Sequence, residues 1–200
     1  LVSQILHFDI SPCDLSESRS GTITLSGGNA VQKILIKQDG LKEILEAERN
    51  ALIAIYKALD GDNWANNTNW CSDLPLAEWA GVRCENYYVT GIDLASLSPE
   101  MKGNIPAEIG NLSHLKYISL NIAANKNFPN EIGNLKELEQ AYIWISGDNT
   151  KIEFPTGLYD CRNLTELNIT GTGIRGCLSS EIGQLNKLTM LCLSGTFIEG

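Results

Sequence analysis

Asn104-Ile-Pro-Ala-Glu-Ile-Gly-Asn-Leu112 returns as Asn127-Phe-Pro-Asn-Glu-Ile-Gly-Asn-Leu135 and again as Cys177-Leu-Ser-Ser-Glu-Ile-Gly-Gln-Leu185. Each copy runs into a segment with apolar residues at fixed offsets: Leu115-x-x-Ile118-x-Leu120, Leu138-x-x-Ala141-x-Ile143 and Leu188-x-x-Leu191-x-Leu193. Leu164-x-x-Leu167-x-Ile169 has the same form, and the steps between first leucines are 23, 26 and 24 residues. A period of this length means that one supersecondary unit is used repeatedly. No single unit buries its own apolar side, so the units must stack and share one continuous core.

Strand side chains alternate, so the leucine positions face that core and the residues between them face away from it. One outward row is Asp93, Ser119, Tyr142, Asn168 and Cys192, and the next is Ala95, Asn121, Trp144, Thr170 and Ser194. Tyr117, Gln140, Glu166 and Met190 flank them. Tyr117, Tyr142 and Trp144 converge over two adjacent repeats, and with Asn121 and Asn168 they form the candidate ligand-binding surface. Exposed aromatics with amide neighbours suit a protein hot spot or sugar stacking. A plainer reading makes Trp144 and Ile145 the anchor of an insertion at 146–153, with the indole ring buried locally.

With 43% hydrophobic and 20% charged residues, the chain is an ordinary folded sequence. Its 24 acidic and 15 basic residues give a net charge of -9, which repels nucleic-acid phosphates and anionic lipid alike. Apolar runs such as Ala51 to Tyr56 fall far short of the roughly 20 residues a membrane helix needs.

Three strands are expected in the first forty residues, at Ile5–Ile10, Gly21–Ser26 and Val31–Gln38, with Gly27-Gly28-Asn29 as a hairpin turn. Leu41, Ile44, Leu45, Leu52, Ile55, Tyr56 and Leu59 then follow helical spacing up to a glycine stop at Gly61. This helix is expected to cover the first repeat, whose edge strand would otherwise offer unpaired backbone groups. Gly61-Asp-Asn-Trp64, Asn69-Trp-Cys71 and Glu78-Trp-Ala-Gly-Val-Arg-Cys84 lead to Val89-x-x-Ile92-x-Leu94.

The L-x-x-L-x-L period is the signature of leucine-rich repeats. Helix, tryptophan motif and repeat phrase, in that order over roughly residues 46–200, resemble plant-type leucine-rich-repeat proteins. The version in bacterial surface proteins, with its G-D-x-W and W-x-G-V pattern, is the more similar. The resemblance implies a right-handed solenoid with a helical N-terminal cap, an α/β fold, an extracytoplasmic location and recognition in place of catalysis. It also implies a disulfide between Cys71 and Cys84, where plant-type relatives carry one. Ser11-Pro-Cys-Asp-Leu-Ser-Glu-Ser-Arg-Ser-Gly-Thr-Ile-Thr-Leu25, closing on Ile34-Leu-Ile-Lys-Gln-Asp-Gly40, resembles the end of a BACON domain, an immunoglobulin-like all-β sandwich of gut-bacterial surface proteins. A simple β-hairpin arm is the alternative. The expected organisation is a β segment at 1–40, a helical cap at 41–88 and about five repeats at 89–200, with further repeats or a cap after Gly200.

Other chemistry has little material. Cys161 takes the slot of Leu112, Leu135 and Leu185 and reads as a small buried hydrophobe, and no C-x-x-C spacing exists for zinc. The pairing of Cys13, Cys161, Cys177 and Cys192 stays open. His7 and His114 are the only histidines, too few for a triad or a metal cluster, and His114 is expected at the surface. Asp60-Gly-Asp62-Asn63 lacks the alternating ligands of a calcium loop and reads as a helix exit. Glu108, Glu131 and Glu181 recur at one repeat position and so form a ladder, not a facing catalytic pair. Asn66, Asn111, Asn163 and Asn168 head Asn-x-Ser/Thr sequons, which matter only in a glycosylating host.

The slot after each strand, where the family places an Asn that bonds neighbouring turns, holds Leu97, Ala123, Ser146, Thr172 and Thr196. Hydroxyls can take over that bond, whereas Leu97 and Ala123 cannot, so the early repeats are expected to be less regular. The reading is a monomeric, non-enzymatic module at a bacterial surface or secreted, without metal or cofactor. It binds a protein through its concave face, with carbohydrate or mucin as the alternative ligand and a pure spacer role as a third possibility.

Overall fold

The structure is a computed structural model that describes residues 19–27, 30–38, 41–98, 101–123, 128–146, 152–171 and 174–199. The expected strand at Ile5–Ile10, together with Cys13 and Thr172, lies outside the described residues. The chain divides into two compact units, Leu1–Glu46 and Ala47–Gly200. The division falls inside helix α1 (Leu41–Ala58) and not at residue 40.

In the first unit, β1 (Arg19–Gly27) and β2 (Ala30–Gln38) pair antiparallel from Arg19↔Gln38 to Gly27↔Ala30. That register agrees with the hairpin expected around Gly27-Gly28-Asn29, with each strand slightly longer than its alternation implied.

The second unit carries the repeats. β3 (Val82–Glu85) lies antiparallel to β4 (Tyr88–Asp93). β4, β5 (Tyr117–Ala123) and β6 (Gln140–Ser146) then follow in parallel. The strand at Ile152–Glu153 is β7, that at Glu166–Gly171 is β8 and that at Ile174–Cys177 is β9. Met190–Cys192 forms β10 and Phe197–Glu199 forms β11. β8 and β10 extend the large sheet, whose order is β10-β8-β6-β5-β4-β3, while β11, β9 and β7 make a second parallel sheet. Each β strand of the large sheet from β5 onward is the predicted leucine segment of one repeat.

The recurring phrase folds as a short 3-10 turn, at Ala107–Asn111, Asn130–Asn134, Thr156–Asp160 and Ser180–Gln184. Proline before the first three turns presets their entry, and Ile109 and Ile132 donate back to Pro106 and Pro129 at 3.2 Å. The turn places Ile109, Leu112 and Leu115 in line with Ile118 and Leu120, all at most 1% exposed. Ile132, Leu135, Leu138, Ala141 and Ile143 repeat the arrangement one layer on, fully buried. Each such aliphatic side chain contributes about 1.5–3 kcal/mol by leaving water, but only while the adjacent layer covers it.

The glycine of the phrase has a steric cause. A Cβ on Gly110 would stand 2.7 Å from the Glu131 carbonyl oxygen, and one on Gly133 would stand 2.8 Å from that of Gly157. At these two steps consecutive turns approach backbone to backbone, which only glycine permits, whereas the third turn carries Tyr159 in the same slot. In the last described repeat the same position, Gly183, has nothing within 4 Å of a Cβ.

Ahead of the repeats, α1 presents buried Ala51, Leu52, Ile55 and Leu59. The tryptophan motifs pack as an aromatic cluster: Tyr56 meets Trp64 at 5.3 Å and Trp70 at 5.7 Å, and Trp70 meets Trp79 at 5.3 Å. Arg49 ties helix to loop, donating to the Ser72 and Leu74 carbonyls at 2.7 and 2.8 Å with its guanidinium 5.2 Å from the Trp79 ring centre. In the early repeats, Leu97 is a core residue, and Met101 makes a parallel bridge to Ile122. Ser146 donates its hydroxyl to the Ile122 carbonyl at 3.5 Å, from the end of β6 to the end of β5.

Gly133→Ala should lower stability by about 1–3 kcal/mol, because its neighbour is backbone that must shift, whereas Gly183→Ala should be neutral or slightly stabilising. Urea unfolding of the two variants checks the contrast.

Candidate functional site

Parallel register brings the outward rows together as the alternation implied. Ser119 stands opposite Tyr142 and Tyr142 opposite Asn168, while Asn121 faces Trp144 and Trp144 faces Thr170. On β5 and β6 the alternate positions Ile118, Leu120, Ile122, Ala141, Ile143 and Ile145 are buried, so the rows between them occupy the other face of the sheet, where Ser119 is nevertheless buried at 3% exposure. Tyr117, Asn121, Tyr142 and Asn168 are half-buried there, and Trp144 is 39% exposed. Ile145 belongs to the core at 3% exposure. Trp144 lies within the strand that runs to Ser146, and residues 147–151, part of the insertion that the plainer reading has it anchor, lie outside the described residues.

The aromatic residues form a connected run. The Tyr117 and Tyr142 ring centres are 5.9 Å apart at 46°, and Tyr142 lies near-parallel to Trp144 at 6.3 Å and 15°. At the β3 end of the run, the Arg83 guanidinium sits 4.9 Å from the Tyr117 ring centre. At its middle, the Tyr142 hydroxyl donates to the Glu166 carboxylate. That bond pushes the Tyr142 phenol up to about 12, since ionising it would place a second negative charge beside the first. Thr170 donates to the Asn168 side-chain oxygen at 2.6 Å, which fixes the orientation of that amide. The rings are thereby held in a fixed arrangement on that face.

Arg83 was not among the sequence candidates. It lies in the tryptophan motif, and only the antiparallel β3–β4 pairing carries it to the sheet. His114 is partly exposed at the surface, stacks on Tyr88 at 3.9 Å, and holds Nδ1 3.6 Å from the Glu48 carboxylate.

The expected Cys71–Cys84 disulfide is not formed; both thiols are free. Cys71 is exposed on the tryptophan loop in the field of Lys57 and Asp62, while Cys84 is half-buried on β3 near Glu48. The two occupy different surroundings, and the aromatic cluster and Arg49 bind that loop without a covalent link. Cys161 behaves as read: it is fully buried, lies 3.3 Å from the Ile132 carbonyl oxygen, and burial pushes its thiol up to about 12. Asp60 and Asp62 accept from Asn63 and Tyr56 at 2.8 Å each, so their carboxylates serve the helix exit. Among the described residues, no group of three or more His, Cys, Asp or Glu is placed to hold a metal, and no helix is long and apolar enough to cross a membrane.

Strand, 3-10 turn and parallel ladder, repeated with leucines inward, define a leucine-rich-repeat solenoid. No protein-family model matches the chain. Among curated proteins it is similar to the leucine-rich repeat protein FLOR 1 of Arabidopsis thaliana, 34% identical over 80 residues, which are 38% of this chain and 22% of that protein. Receptor-like protein 36 of the same plant is 34% identical over 74 residues, 37% of this chain and 9% of the relative. The chain thus spans a small part of the length of the curated relatives it matches. Among solved structures, a plant ice-binding protein aligns with a TM-score of 0.62 at 21% identity, over 76% of this chain and 49% of that one. The BIR3–SERK2 complex of Arabidopsis thaliana aligns at 0.60 and 20%, over 76% and 84%. The receptor kinase HAESA of that plant, solved with the peptide hormone IDA and the co-receptor SERK1, aligns at 0.53 and 18%, over 80% and 30%. These likenesses establish the fold.

With Cys71 and Cys84 both free, reductant should leave the melting temperature unchanged. A thiol reagent should label Cys71 and Cys177 in the native protein and reach Cys161 only on unfolding, as peptide mapping by mass spectrometry would record.

Proposed function

We propose that this chain is a non-enzymatic, extracytoplasmic recognition module that binds a protein or peptide partner through the concave face of its solenoid. The observation that carries the reading is the continuous run Tyr117–Tyr142–Trp144 on the open face, flanked by Asn121 and Asn168, with Trp144 exposed at its end. Large, rigid amphipathic rings give contact area at low entropy cost and dominate protein interfaces. HAESA, of like fold, is described with a bound peptide hormone, which favours a peptide or protein ligand over other classes.

In this reading α1 and the tryptophan cluster act as the N-terminal cap of a right-handed solenoid, and the hairpin belongs to a BACON-like segment. The setting is a bacterial surface or secretion, on the resemblance of the G-D-x-W and W-x-G-V motifs, and the module acts as a monomer. Carbohydrate is the second reading: the near-parallel Tyr142 and Trp144 rings, with Asn121, Asn168 and Thr170 beside them, suit stacking on a sugar face with hydrogen bonds at its edge.

Parallel protein and glycan arrays, followed by the Tyr142→Ala/Trp144→Ala double variant, test the proposal. A protein hit should weaken roughly 30-fold or more in a variant with unchanged circular dichroism. A glycan hit lost in the variant would replace the first reading with the second, and a protein hit that survives intact would place binding elsewhere.

A further inference from the structure

Glu48 is the one charged side chain among the described residues that is fully withdrawn from water, at 0% exposure on the inner face of α1. Its Oε2 accepts the Val89 N–H at 3.0 Å, at the start of the L-x-x-L-x-L segment on β4. Its Oε1 has no hydrogen-bond partner among the described residues, and the nearest candidate is His114 Nδ1 at 3.6 Å. His114 is held from two other sides: Tyr88 stacks on the ring at 3.9 Å and 23°, and Ser113 Oγ stands 3.2 Å from the same Nδ1. A carboxylate deprived of water needs a proton or a cation, and His114 is the group placed to supply either.

We propose that Glu48 and His114 form a proton-sharing pair that fastens α1 to the first repeats when protonated and loosens that junction as pH rises. With one proton between them, the pair is either a neutral acid beside a neutral imidazole or a carboxylate beside an imidazolium. Both leave the buried site without net charge. Removal of that proton strands a bare carboxylate under α1, with one backbone N–H as its partner.

The remaining groups around Glu48 give no relief. The Cys84 thiol on β3 lies in its field as a second acid, and Lys116, ahead of β5, is engaged with Glu85 at 3.0 Å. Arg49, next along α1, is turned to the Ser72 and Leu74 carbonyls. Burial accordingly outweighs the Val89 hydrogen bond and pushes the Glu48 carboxyl up to about 7. The sign follows from linkage: in the unfolded chain the carboxyl ionises near its ordinary value of 4.5, so its contribution to stability is full below that pH and is lost as pH climbs through about 7.

The test is thermal unfolding of the whole chain, followed by tryptophan fluorescence from pH 4 to 9, for wild type, Glu48→Gln, His114→Gln and the double variant. The amide introduced by Glu48→Gln keeps an oxygen for the Val89 N–H and offers a donor to His114, so this variant should fold. Its melting temperature should match wild type near pH 4 and exceed it by roughly 5 °C at pH 8. The double-mutant cycle should show coupling near pH 6 that disappears by pH 9. Hydrogen exchange at the Val89 amide should lose protection with rising pH in wild type and hold it in Glu48→Gln. Parallel pH profiles for wild type and Glu48→Gln, or zero coupling at pH 6, would overturn the proposal.

Discussion

The close approach of one 3-10 turn to the next, with glycine against a carbonyl oxygen, is the constraint on which the repeats depend. At Gly110 and Gly133 the spacing leaves no room for a methyl group, so the turns on one side of each layer are set by backbone contact. On the other side the layers are set by the hydrogen-bonded strands of the parallel sheet. Leucine and isoleucine fill the volume between these two walls. Because both walls are backbone, the outward residues are released from structural duty and are free to vary in kind from repeat to repeat.

A solenoid built this way has a problem at its first strand, where backbone groups and apolar side chains would meet water. Here the antiparallel β3 pairs with the free edge of β4, and the buried face of α1 lies on the apolar side. The tryptophan loop is fixed by ring contacts, by indole donors to the Leu59 and Ala80 carbonyls at 2.9 Å each, and by Arg49. This fastening is noncovalent, with Cys71 and Cys84 both free. It also explains why Glu48 is tolerated: the same helix face that seals the core makes one polar bond to the first strand.

Freedom on the open face explains the character of the candidate site. Tyr117, Tyr142 and Trp144 lie outside the buried aliphatic ladder beneath them. Their order comes from one another and from Arg83, Glu166 and the parallel register. Trp144 is thereby held in a fixed arrangement while 39% exposed.

The sequence by itself determined the repeat, its strands, α1 and, Ser119 apart, the two outward rows, because period, glycine position and alternation are local properties written in consecutive residues. It also placed Cys161 correctly, since a slot filled elsewhere by leucine has one environment. Only the tertiary structure decided what depends on residues distant in the chain. Arg83 reaches Tyr117 through the β3–β4 pairing, and Cys71 and Cys84 fall in separate surroundings. Glu48 and His114, sixty-six residues apart, meet because α1 folds over the first repeats. No periodicity encodes such meetings: they follow from how the helix and the tryptophan loop close the end of the stack, a matter of packing between elements and not of pattern within one.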